Sequence, residues 1–330
     1  MKTDRKIVAV CLSPAIDTTF YINEMTDKVE YIHVDEEFSN ASGKAPNLAC
    51  SLKNWGCKIP LHIVAGSQNV ELYQSLLASQ GMTAEFTLYP GRIRENITMV
   101  TRQKVQYKFN RTNKVEAYGW IAPLRGWLER EHVPGAIAVF CGSLPQGVTP
   151  QQFMDLLMYA KGLGYELALD SPSLQYSQLV ELSPLVVKPN REEMLLLWGL
   201  EAFPDDSGLG ILLKRMMEDG IRNILLTLGH NGLILASGER FVSVGCGQPV
   251  LSAHRVSRYR CTLEAYPVNN TVGAGDAALA GFLAGVTEGK DLDERAAYAF
   301  AFGTAKVWQE GTRMPVVQDI HKVLAAVEKI

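Results

Sequence analysis

The chain has 330 residues, of which 47% are hydrophobic and 20% are charged. This composition excludes intrinsic disorder and a fibrous protein, and the length is sufficient to bury a core without a disulfide or metal staple. The 32 basic and 35 acidic residues leave a net charge of -3. Because nucleic acids and anionic membranes attract clustered positive charge, we expect neither as a partner.

The cysteine pattern and the hydropathy narrow the class of protein further. The six cysteines have no CxxC spacing and no histidine companion; they are Cys11, Cys50, Cys57, Cys141, Cys246 and Cys261. In a chain of this length, that scatter predicts reduced core thiols rather than disulfides or a zinc site. The apolar run at 7–12 is too short for a signal peptide, and no apolar stretch reaches the length of a membrane span. We therefore expect a cytoplasmic protein.

Short apolar runs alternate with helix-length amphipathic segments along the chain. The runs are apolar on both faces and predict parallel strands at 6–12, 61–66, 136–142, 166–170, 184–190 and 223–229. The segments between them predict helices at 46–55, 70–80, 150–163, 191–199 and 209–220. Strand and helix repeated in this way predict a doubly wound α/β sheet.

Two segments depart from this pattern. Residues 18–38 and 85–110 alternate apolar and polar side chains, which predicts antiparallel ribbons outside the main sheet. The ribbons could pair into one lid over the carboxyl edge of the sheet, where open α/β sheets bind ligands. We expect a single domain over residues 1–330, with a discontinuous β lid from about 13–38 and 85–112.

A glycine-rich turn precedes a helix of small residues in NNTVGAGDAALAGFLAG, at 269–285. Such a turn leaves N–H groups without acceptors at the positive end of the helix dipole, which suits an anion. Asp276 lies in the first helical turn, where a carboxylate could take a proton from a substrate hydroxyl while the N–H groups neutralise a phosphoryl group. The alternative is that Asp276 is only an acid favoured by the helix dipole.

Two other phosphate-binding motifs are missing. Gly43-Lys44 is followed by Ala45 and lacks the GxxxxGK[ST] spacing, and no GxGxxG occurs. A P-loop ATPase and a Rossmann dehydrogenase therefore have no support in the sequence.

Seven segments are together similar, in order and spacing, to one known family. They are LSPAID (12–17), SGKAPNLACSLKNWG (42–56), IRENITMV (93–100), CGSLPQGV (141–148), VVKPNREEM (186–194), LLTLGHNG (225–232) and NTVGAGD (270–276). The chain resembles the PfkB/ribokinase carbohydrate kinases, in the branch of 1-phosphofructokinase and tagatose-6-phosphate kinase. The resemblance implies a ribokinase-like three-layer α/β/α fold with a mostly parallel central sheet and a small β lid.

The resemblance also implies a catalytic role for the glycine-rich turn. Asp276 is expected to be the base that takes a proton from the sugar hydroxyl. The backbone of Gly273, Ala274 and Gly275 is expected to form the anion hole for the transferred phosphoryl group. Such a transfer depends mainly on positioning and charge neutralisation.

The resemblance further implies ATP and Mg²⁺ as cofactors. Asn190 and Glu193, three residues apart, are expected to orient the magnesium ion through water, with ordinary helix capping as the alternative. The residues expected to border the nucleotide are Lys188, Thr227, Gly229 and Gly232. For the last three, a tight turn between strands explains the sequence equally well.

For the sugar, the resemblance implies five binding residues. Asp17, Gly43 and Asn47 are expected to line it, while Lys44 and Arg94 are candidate ligands for a phosphate already on the substrate. An arginine suits a phosphate because its planar fork can donate two hydrogen bonds at once. The alternative for both Lys44 and Arg94 is a solvated surface cation.

The sequence departs from the family pattern in several places. Ser42 and Ala45 replace glycines of the G-G-K-G motif, and a side chain there narrows the approach to the sugar. Ser13 replaces the asparagine that precedes the proline of the first motif, and 169–173 lacks the D-x-S-G ending. Residues 238–269 form a longer segment than the family needs and predict hairpins.

The leading hypothesis is an ATP-dependent kinase that phosphorylates a hydroxymethyl group of a phosphorylated ketohexose, such as fructose 1-phosphate or tagatose 6-phosphate. One alternative is a kinase for an unphosphorylated sugar or a nucleoside. Another is a non-catalytic module that binds a sugar phosphate. We further expect the lid to close on substrate, and a homodimer through the lids is compatible with their open strand edges.

Overall fold

The computed structural model describes residues 5–24, 31–112, 114–115, 118–245, 256–263 and 268–330. Within these residues the chain forms a large sheet, a small sheet and ten helices. The strands are β1 Ile7–Cys11, β2 Ala15–Ile22, β3 Val34–Ser42, β4 Leu61–Gly66, β5 Glu85–Tyr89, β6 Arg94–Thr101, β7 Gln106–Phe109, β8 Ile137–Cys141, β9 Glu166–Asp170, β10 Val186–Val187, β11 Asn223–Thr227, β12 Leu233–Ser237, β13 Arg240–Gly245, β14 Val256–Cys261 and β15 Val327–Lys329. The helices are α1 Lys44–Trp55, α2 Val70–Ser79, α3 Ile121–Glu131, α4 Pro150–Gly162, α5 Tyr176–Leu182, α6 Arg191–Trp198, α7 Asp206–Glu218, α8 Ala274–Thr287, α9 Leu292–Val307 and α10 Val317–Ala325.

The large sheet has the strand order β15-β14-β13-β12-β11-β10-β9-β8-β1-β4-β5. From β5 to β11 every neighbouring pair is parallel, so the carboxyl ends of these strands meet at one edge. The six predicted parallel strands are confirmed. The run at 184–190 pairs only over Val186–Val187, because Pro184 and Pro189 on either side have no N–H to donate to a ladder.

Helices cover both faces of the large sheet, which confirms the predicted three layers. Alternate residues of β1 enter two separate cores, with Ala9 on one face and Val8 on the other. Helices α1, α2, α8, α9 and α10 contribute to the first core, and α3 to α7 contribute to the second. Because every residue of β1 is buried, the strand is apolar throughout rather than alternating.

The five predicted helices are confirmed, and two of them, α1 and α7, begin earlier than predicted. Helix α1 begins at Lys44, so Pro46 lies inside the first turn, where its missing N–H has no intrahelical acceptor in any case. Helix α7 begins at Asp206 rather than 209, because the side chain of Asp205 accepts a hydrogen bond from the N–H of Gly208 and caps it.

The two predicted ribbons form one separate sheet with the strand order β3-β2-β6-β7. Each ribbon is antiparallel, and β2 joins them by pairing with β6 in parallel over eight residues. The first ribbon extends past its predicted end at 38, because β3 continues to Ser42.

The second ribbon, predicted at 85–110, and the lid segment, predicted from about 85, are wrong at their start. Strand β5 belongs to the large sheet, where it pairs in parallel with β4 and forms one edge. Thr87 and Tyr89 are buried, whereas Glu85 and Leu88 are exposed. An edge strand with one buried face alternates as a ribbon does, so the side-chain pattern does not distinguish the two.

The remaining predictions concern the C-terminal part of the chain and the cysteines. The hairpins predicted within 238–269 are wrong for its described residues, because β13 and β14 pair in parallel; β13 instead forms a hairpin with β12, which precedes the segment. Residues 246–255 and 264–267, which include Cys246, lie outside the described residues. The five described cysteines are free, as predicted, although Cys57 is only half-buried. Of the described helices, none has the length and apolar character to cross a membrane.

Candidate active site

Asp276 lies in the first turn of α8, above the carboxyl edge of the large sheet. Only 7% of the residue is exposed. The amide of Asn47 in α1 donates a hydrogen bond to Asp276 Oδ2 at 2.8 Å. Among the described residues, Asp276 Oδ1 accepts no hydrogen bond, so this oxygen is available to a substrate proton.

The pKa of Asp276 is raised from 3.8 to about 6. The main cause is burial, and the negative charge of Asp170 adds to it. The Asn47 hydrogen bond and the charges of Lys44 and Lys188 act in the opposite direction. A carboxylate with a pKa just below neutrality is ionised at pH 7 and is basic enough to accept a proton.

The turn before Asp276 presents backbone N–H groups to the same space. Gly273 has a φ of 86°, a left-handed conformation that favours glycine, and a Cβ there would lie 2.8 Å from the flexible end of the Met314 side chain. Within the described chain, the N–H groups of Gly273, Gly275 and Asp276 have no acceptor. The N–H of Ala274 is not available, because it donates to the carbonyl of Thr271 at 3.2 Å. Three amides are thus free to bind an anion. They differ from the predicted three in that the N–H of Asp276 takes the place of the N–H of Ala274.

Asp170, at the end of β9, holds two ammonium groups beside this turn. Its Oδ1 accepts a hydrogen bond from Lys44 Nζ at 3.0 Å, and its Oδ2 lies 3.3 Å from Lys188 Nζ. The residue is 1% exposed. The sequence analysis did not select Asp170, although a charged residue at the end of an otherwise apolar strand marks the edge where ligands bind.

The two lysines differ in how well they match their predicted roles. Lys188 Nζ would lie 3.1 Å from a Cβ at Gly275, which places it against the anion-binding turn. Lys44 was expected to bind a phosphate on the substrate, but its ammonium contacts Asp170 and lies 3.8 Å from Glu193 Oε1. Burial alone would lower the pKa of Lys44, but the nearby carboxylates of Asp170 and Asp276 raise it above its ordinary value.

Asn190 and Glu193 form a reciprocal cap at the start of α6. Asn190 Oδ1 accepts from the N–H of Glu193 at 2.8 Å, and Glu193 Oε2 accepts from the N–H of Asn190 at 2.9 Å. The capping alternative is therefore present in the structure. The remaining oxygen of Glu193, Oε1, faces Lys44 and is the one that could contact a metal ion.

The predicted nucleotide turn follows β11. Thr227 donates to the carbonyl of Pro189 through its N–H at 3.0 Å, and bridges to Asn190, so the turn adjoins the same sheet edge. Gly232 has a φ of 94°, and a Cβ there would lie 2.0 Å from the carbonyl oxygen of Val244. Gly232 is thus required by the turn itself, while at Gly229 an added Cβ would meet no atom within 4 Å and only the φ of 62° favours glycine. The role of these residues in binding a nucleotide stays a prediction.

The small sheet turns a polar face toward this edge. Asp17 is in register with Asn40 of β3 and Asn96 of β6, so the three side chains lie on one face. Asn96 donates to Asp17 Oδ1 at 2.8 Å. Arg94 is two residues before Asn96 and shares that face. The sequence analysis selected Asp17 and Arg94 but missed both asparagines, although Asn96 stands within one of the matched segments.

Arg94 has an unused donor at the floor of this cleft. Its Nε is buried and has no hydrogen-bond acceptor among the described residues. The charges of both Arg94 and Asp276 act on the thiol of Cys11, whose pKa is raised to about 12, mainly by burial. A guanidinium and a carboxylate therefore both lie within electrostatic range of the Cys11 thiol.

The loop at 42–45 closes this cleft at the N-terminus of α1. Gly43 has a φ of 135°, and a Cβ there would lie 3.2 Å from Cys11 Sγ. The carbonyl of Ser42 accepts a hydrogen bond from Tyr73 at 2.9 Å, and Ala45 is fully buried. The two departures from the glycine-rich motif are thus accommodated within the core.

A separate cavity of about 620 Å³ lies on the other face of the large sheet, beside β9, β10, α5 and α6. Most of its wall is apolar, for example Leu169 and Val187. Of the site residues, Lys188 and Glu193 line it, whereas Asp276 and its turn do not. This cavity is therefore separate from the turn that carries Asp276.

Comparison with known proteins identifies the family. The chain matches the description "pfkB family carbohydrate kinase" over residues 12–319. The chain belongs to this family. It is therefore a sugar kinase, a phosphotransferase with an alcohol acceptor, and membership implies ATP as the phosphate donor.

Two relatives by sequence and two by structure illustrate the family. The 1-phosphofructokinase of Escherichia coli strain K12 is 24% identical, and the alignment covers 98% of this chain and 98% of that one. The 1-phosphofructokinase of Rhodobacter capsulatus is 26% identical, and the alignment covers 94% of this chain and 93% of that one. Phosphofructokinase-2 of Escherichia coli, solved with substrates and products, has a TM-score of 0.85 at 22% identity, over 97% of this chain and 98% of that one. A nucleoside kinase of Methanocaldococcus jannaschii has a TM-score of 0.67 at 17% identity, over 98% and 99%.

The electrostatic coupling at this edge can be measured directly. Asp170→Asn removes a like charge and leaves two lysines unneutralised, so we expect it to lower the pKa of Asp276. Asn47→Leu removes a donor to the ionised carboxylate, so we expect it to raise that pKa. The measurement is a carbon-13 NMR titration of aspartate-labelled protein, with the Asp276 resonance assigned from Asp276→Asn. If the pKa of Asp276 moved in the same direction in both variants, the proposed contacts of Asp276 with Asn47 and Asp170 would be contradicted.

Proposed function

We propose that the protein transfers the γ-phosphoryl group of ATP to a hydroxymethyl group of a phosphorylated ketohexose, of the fructose 1-phosphate or tagatose 6-phosphate type. The observation that carries the proposal is a buried carboxylate with one unpaired oxygen beside three unpaired backbone amides. The names of the relatives support the substrate class, since several are 1-phosphofructokinases, and one related structure was solved with fructose-6-phosphate.

In the proposed reaction Asp276 acts as the general base. Its Oδ1 takes the proton of the acceptor hydroxyl while the hydroxyl oxygen forms a bond to the γ-phosphorus. The bond between that phosphorus and the β–γ bridging oxygen breaks, and ADP leaves with the electron pair. The amides of Gly273, Gly275 and Asp276 neutralise the charge on the phosphoryl oxygens during transfer. Asn47 holds the other carboxylate oxygen and so fixes the orientation of the base.

Lys44 and Lys188 are proposed to bind the donor side of the reaction. Both ammonium groups are held by Asp170 at the turn, so they are in place to meet the oxygens of the transferred phosphoryl group and of the nucleotide phosphates. This assigns Lys44 to the transferred group rather than to the phosphate of the acceptor. Thr227, Gly229 and Gly232 are proposed to border the nucleotide beyond them.

Magnesium is proposed to bind between Asp170 and Glu193. Carboxylate oxygens suit Mg²⁺, which in kinases is bound by one or two carboxylates together with substrate phosphates. Asp170 Oδ2 accepts no hydrogen bond but lies 3.3 Å from Lys188 Nζ, and Glu193 Oε1 is not used by the helix cap but lies 3.8 Å from Lys44 Nζ, so the ion would take the place of these two ammonium groups. Asn190 uses its side-chain oxygen in the cap and is proposed to position Glu193. The ion would supply charge neutralisation for the phosphates.

Arg94 is proposed to bind the phosphate already on the acceptor. Its unpaired, buried Nε calls for an anionic or polar ligand, because a buried donor without a partner costs free energy. Asp17 and Gly43 would line the sugar between Arg94 and Asp276. This charge at the far end of the cleft favours a phosphorylated acceptor over an unphosphorylated sugar or a nucleoside.

The small sheet is proposed to act as a lid on a single kinase domain. Asn69 fixes the start of the lid, because its amide accepts from the N–H of Ile93 and donates to the carbonyl of the same residue. Exposed apolar side chains on the edge strands, such as Val34 and Phe109, suit a homodimer formed through the lids. One structure of Escherichia coli phosphofructokinase-2 is described as a tetrameric inhibited form, so a member of this fold does assemble.

Replacement of the base tests the proposed chemistry. Asp276→Asn keeps the shape and the first-turn position but cannot accept the proton, so we expect kcat to fall by about 10²–10⁴-fold with little change in nucleotide binding. The assay is coupled ADP release over a panel of phosphorylated and free sugars. Asp291→Asn is the matched control, since asparagine caps α9 as well as aspartate does. A near-normal rate in Asp276→Asn would remove this residue from the role of base.

Replacement of Arg94 tests the acceptor. The loss of a charge-assisted hydrogen bond in Arg94→Ala costs about 1.5–3 kcal/mol, so we expect KM for the phosphorylated sugar to rise roughly 10- to 150-fold. The exposed Arg92, two residues earlier, provides the control variant Arg92→Ala. If the Arg94→Ala variant retains the wild-type KM, the acceptor is not held through a phosphate at this position.

A further inference from the structure

Lys306 is a fully buried lysine that the proposed reaction does not use. It lies in the last turn of α9 and is 0% exposed. Its ammonium donates to two backbone carbonyls, that of Gly311 at 3.0 Å and that of Asn270 at 3.3 Å. These carbonyls belong to two different segments, one after α9 and one leading into the anion-binding turn. One cation therefore joins two loops.

The segment that leads into the turn is attached to the end of α9 at several points. The N–H groups of Asn269 and Asn270 both donate to the carbonyl of Val307, at 2.8 and 3.3 Å. The side chain of Asn269 donates to the carbonyl of Trp308 at 2.7 Å. Lys306 completes this attachment by binding the carbonyl of Asn270 from the other side. The position of the turn thus follows the end of α9.

Lys306 also packs directly beneath the turn. A Cβ at Gly273 would lie 3.4 Å from Lys306 Cε, so the stem of the lysine forms part of the floor under the free amide of Gly273. The ammonium feels the charge of Asp276 as well: burial lowers the pKa of Lys306 to about 8, and the Asp276 carboxylate opposes that effect. The cation is therefore a neighbour of the base as well as of the turn.

Stability alone does not account for a charge in this place. Taking an ammonium out of water is costly unless hydrogen bonds and opposite charge compensate for it. An apolar residue of the same size would fill the space without that cost. Only a cation with several donors can bind two carbonyls from separate loops and at the same time favour negative charge on the adjacent base and on a bound anion.

We propose that Lys306 is a positioning residue, a cation built into the chain that holds the 269–273 segment so that the free amides of the turn face the transferred phosphoryl group. The inference rests on the proposed role of the turn as an anion hole. Lys306 does not touch the substrate. Its effect is on the rate of transfer rather than on the binding of the sugar.

The first test replaces the ammonium and keeps the stem. In Lys306→Met we expect kcat to fall about 10- to 100-fold, because a displacement of about 1 Å at the reacting groups has an effect of that size, while KM for the sugar stays within twofold. Lys161→Met is the matched control, since Lys161 also donates to a backbone carbonyl but lies on the exposed surface of α4. An unchanged kcat per folded molecule, with only a lower unfolding temperature, would overturn the proposal.

The second test restores the charge without the covalent bond. Lys306→Ala leaves a space for a small cation. We therefore expect added ammonium or methylammonium to raise the kcat of this variant at least tenfold over its value without the cation. Tetramethylammonium, which has no N–H to donate, should recover none. Absence of rescue by either small cation would contradict a role for the charge. If neither variant folds, with or without ammonium, Lys306 acts on global stability and the proposal is overturned.

A structural measurement separates this inference from the proposed function. In Lys306→Met, amide hydrogen exchange should accelerate locally in 269–275 and 309–314, with α1 and α4 unchanged. If the wild type releases no ADP with any acceptor, the proposed function fails, yet this exchange experiment still decides whether Lys306 holds the turn. Wild-type exchange rates in both segments of the variant would overturn the inference.

Discussion

The hydrogen bond from Asn47 to Asp276 joins the first turns of two helices that begin at the same edge of the sheet. It places a carboxylate against free amides, out of water, where its pKa is raised to about 6. A buried negative charge of this kind is tolerated only when opposite charge compensates for it. Lys44, Lys188 and Lys306 provide that compensation, and Asp170 holds two of them in place. The other charged side chains at this edge of the sheet are therefore arranged around the buried charge of Asp276.

Much of the fold follows from local pattern in the sequence. Runs such as 61–66 and 166–170 are apolar on both faces, which a strand under two layers of helices requires, and β4 and β9 have those bounds. The turn before Asp276 was also recognisable, since the positive φ at Gly273 favours glycine. The strand at 85–89 was placed in the wrong sheet because an edge strand and a ribbon share the same alternation.

The residues that sequence analysis missed act through contacts between distant segments. Asp170 meets Lys44 across 126 positions of the chain, and Lys306 meets Asn270 across 36. Neither residue is part of a local pattern that differs from an ordinary strand end or helix end. Lys44 is the converse case: its segment was recognised from the sequence, but the contact of its ammonium with Asp170 could not be, because that contact joins distant segments. Arg313 connects the loop held by Lys306 to the small sheet, since its guanidinium lies 5.8 Å from the ring of Phe38.

The most direct measurement is a crystal structure of the protein with ADP, aluminium fluoride and an accepted sugar phosphate, in which the fluoride stands in for the transferred phosphoryl group. The account predicts fluorine atoms about 2.7–3.1 Å from the amide nitrogens of Gly273 and Gly275, with the acceptor hydroxyl on Asp276 Oδ1. A metal fluoride bound away from this turn, or an acceptor hydroxyl held by another side chain, would contradict it.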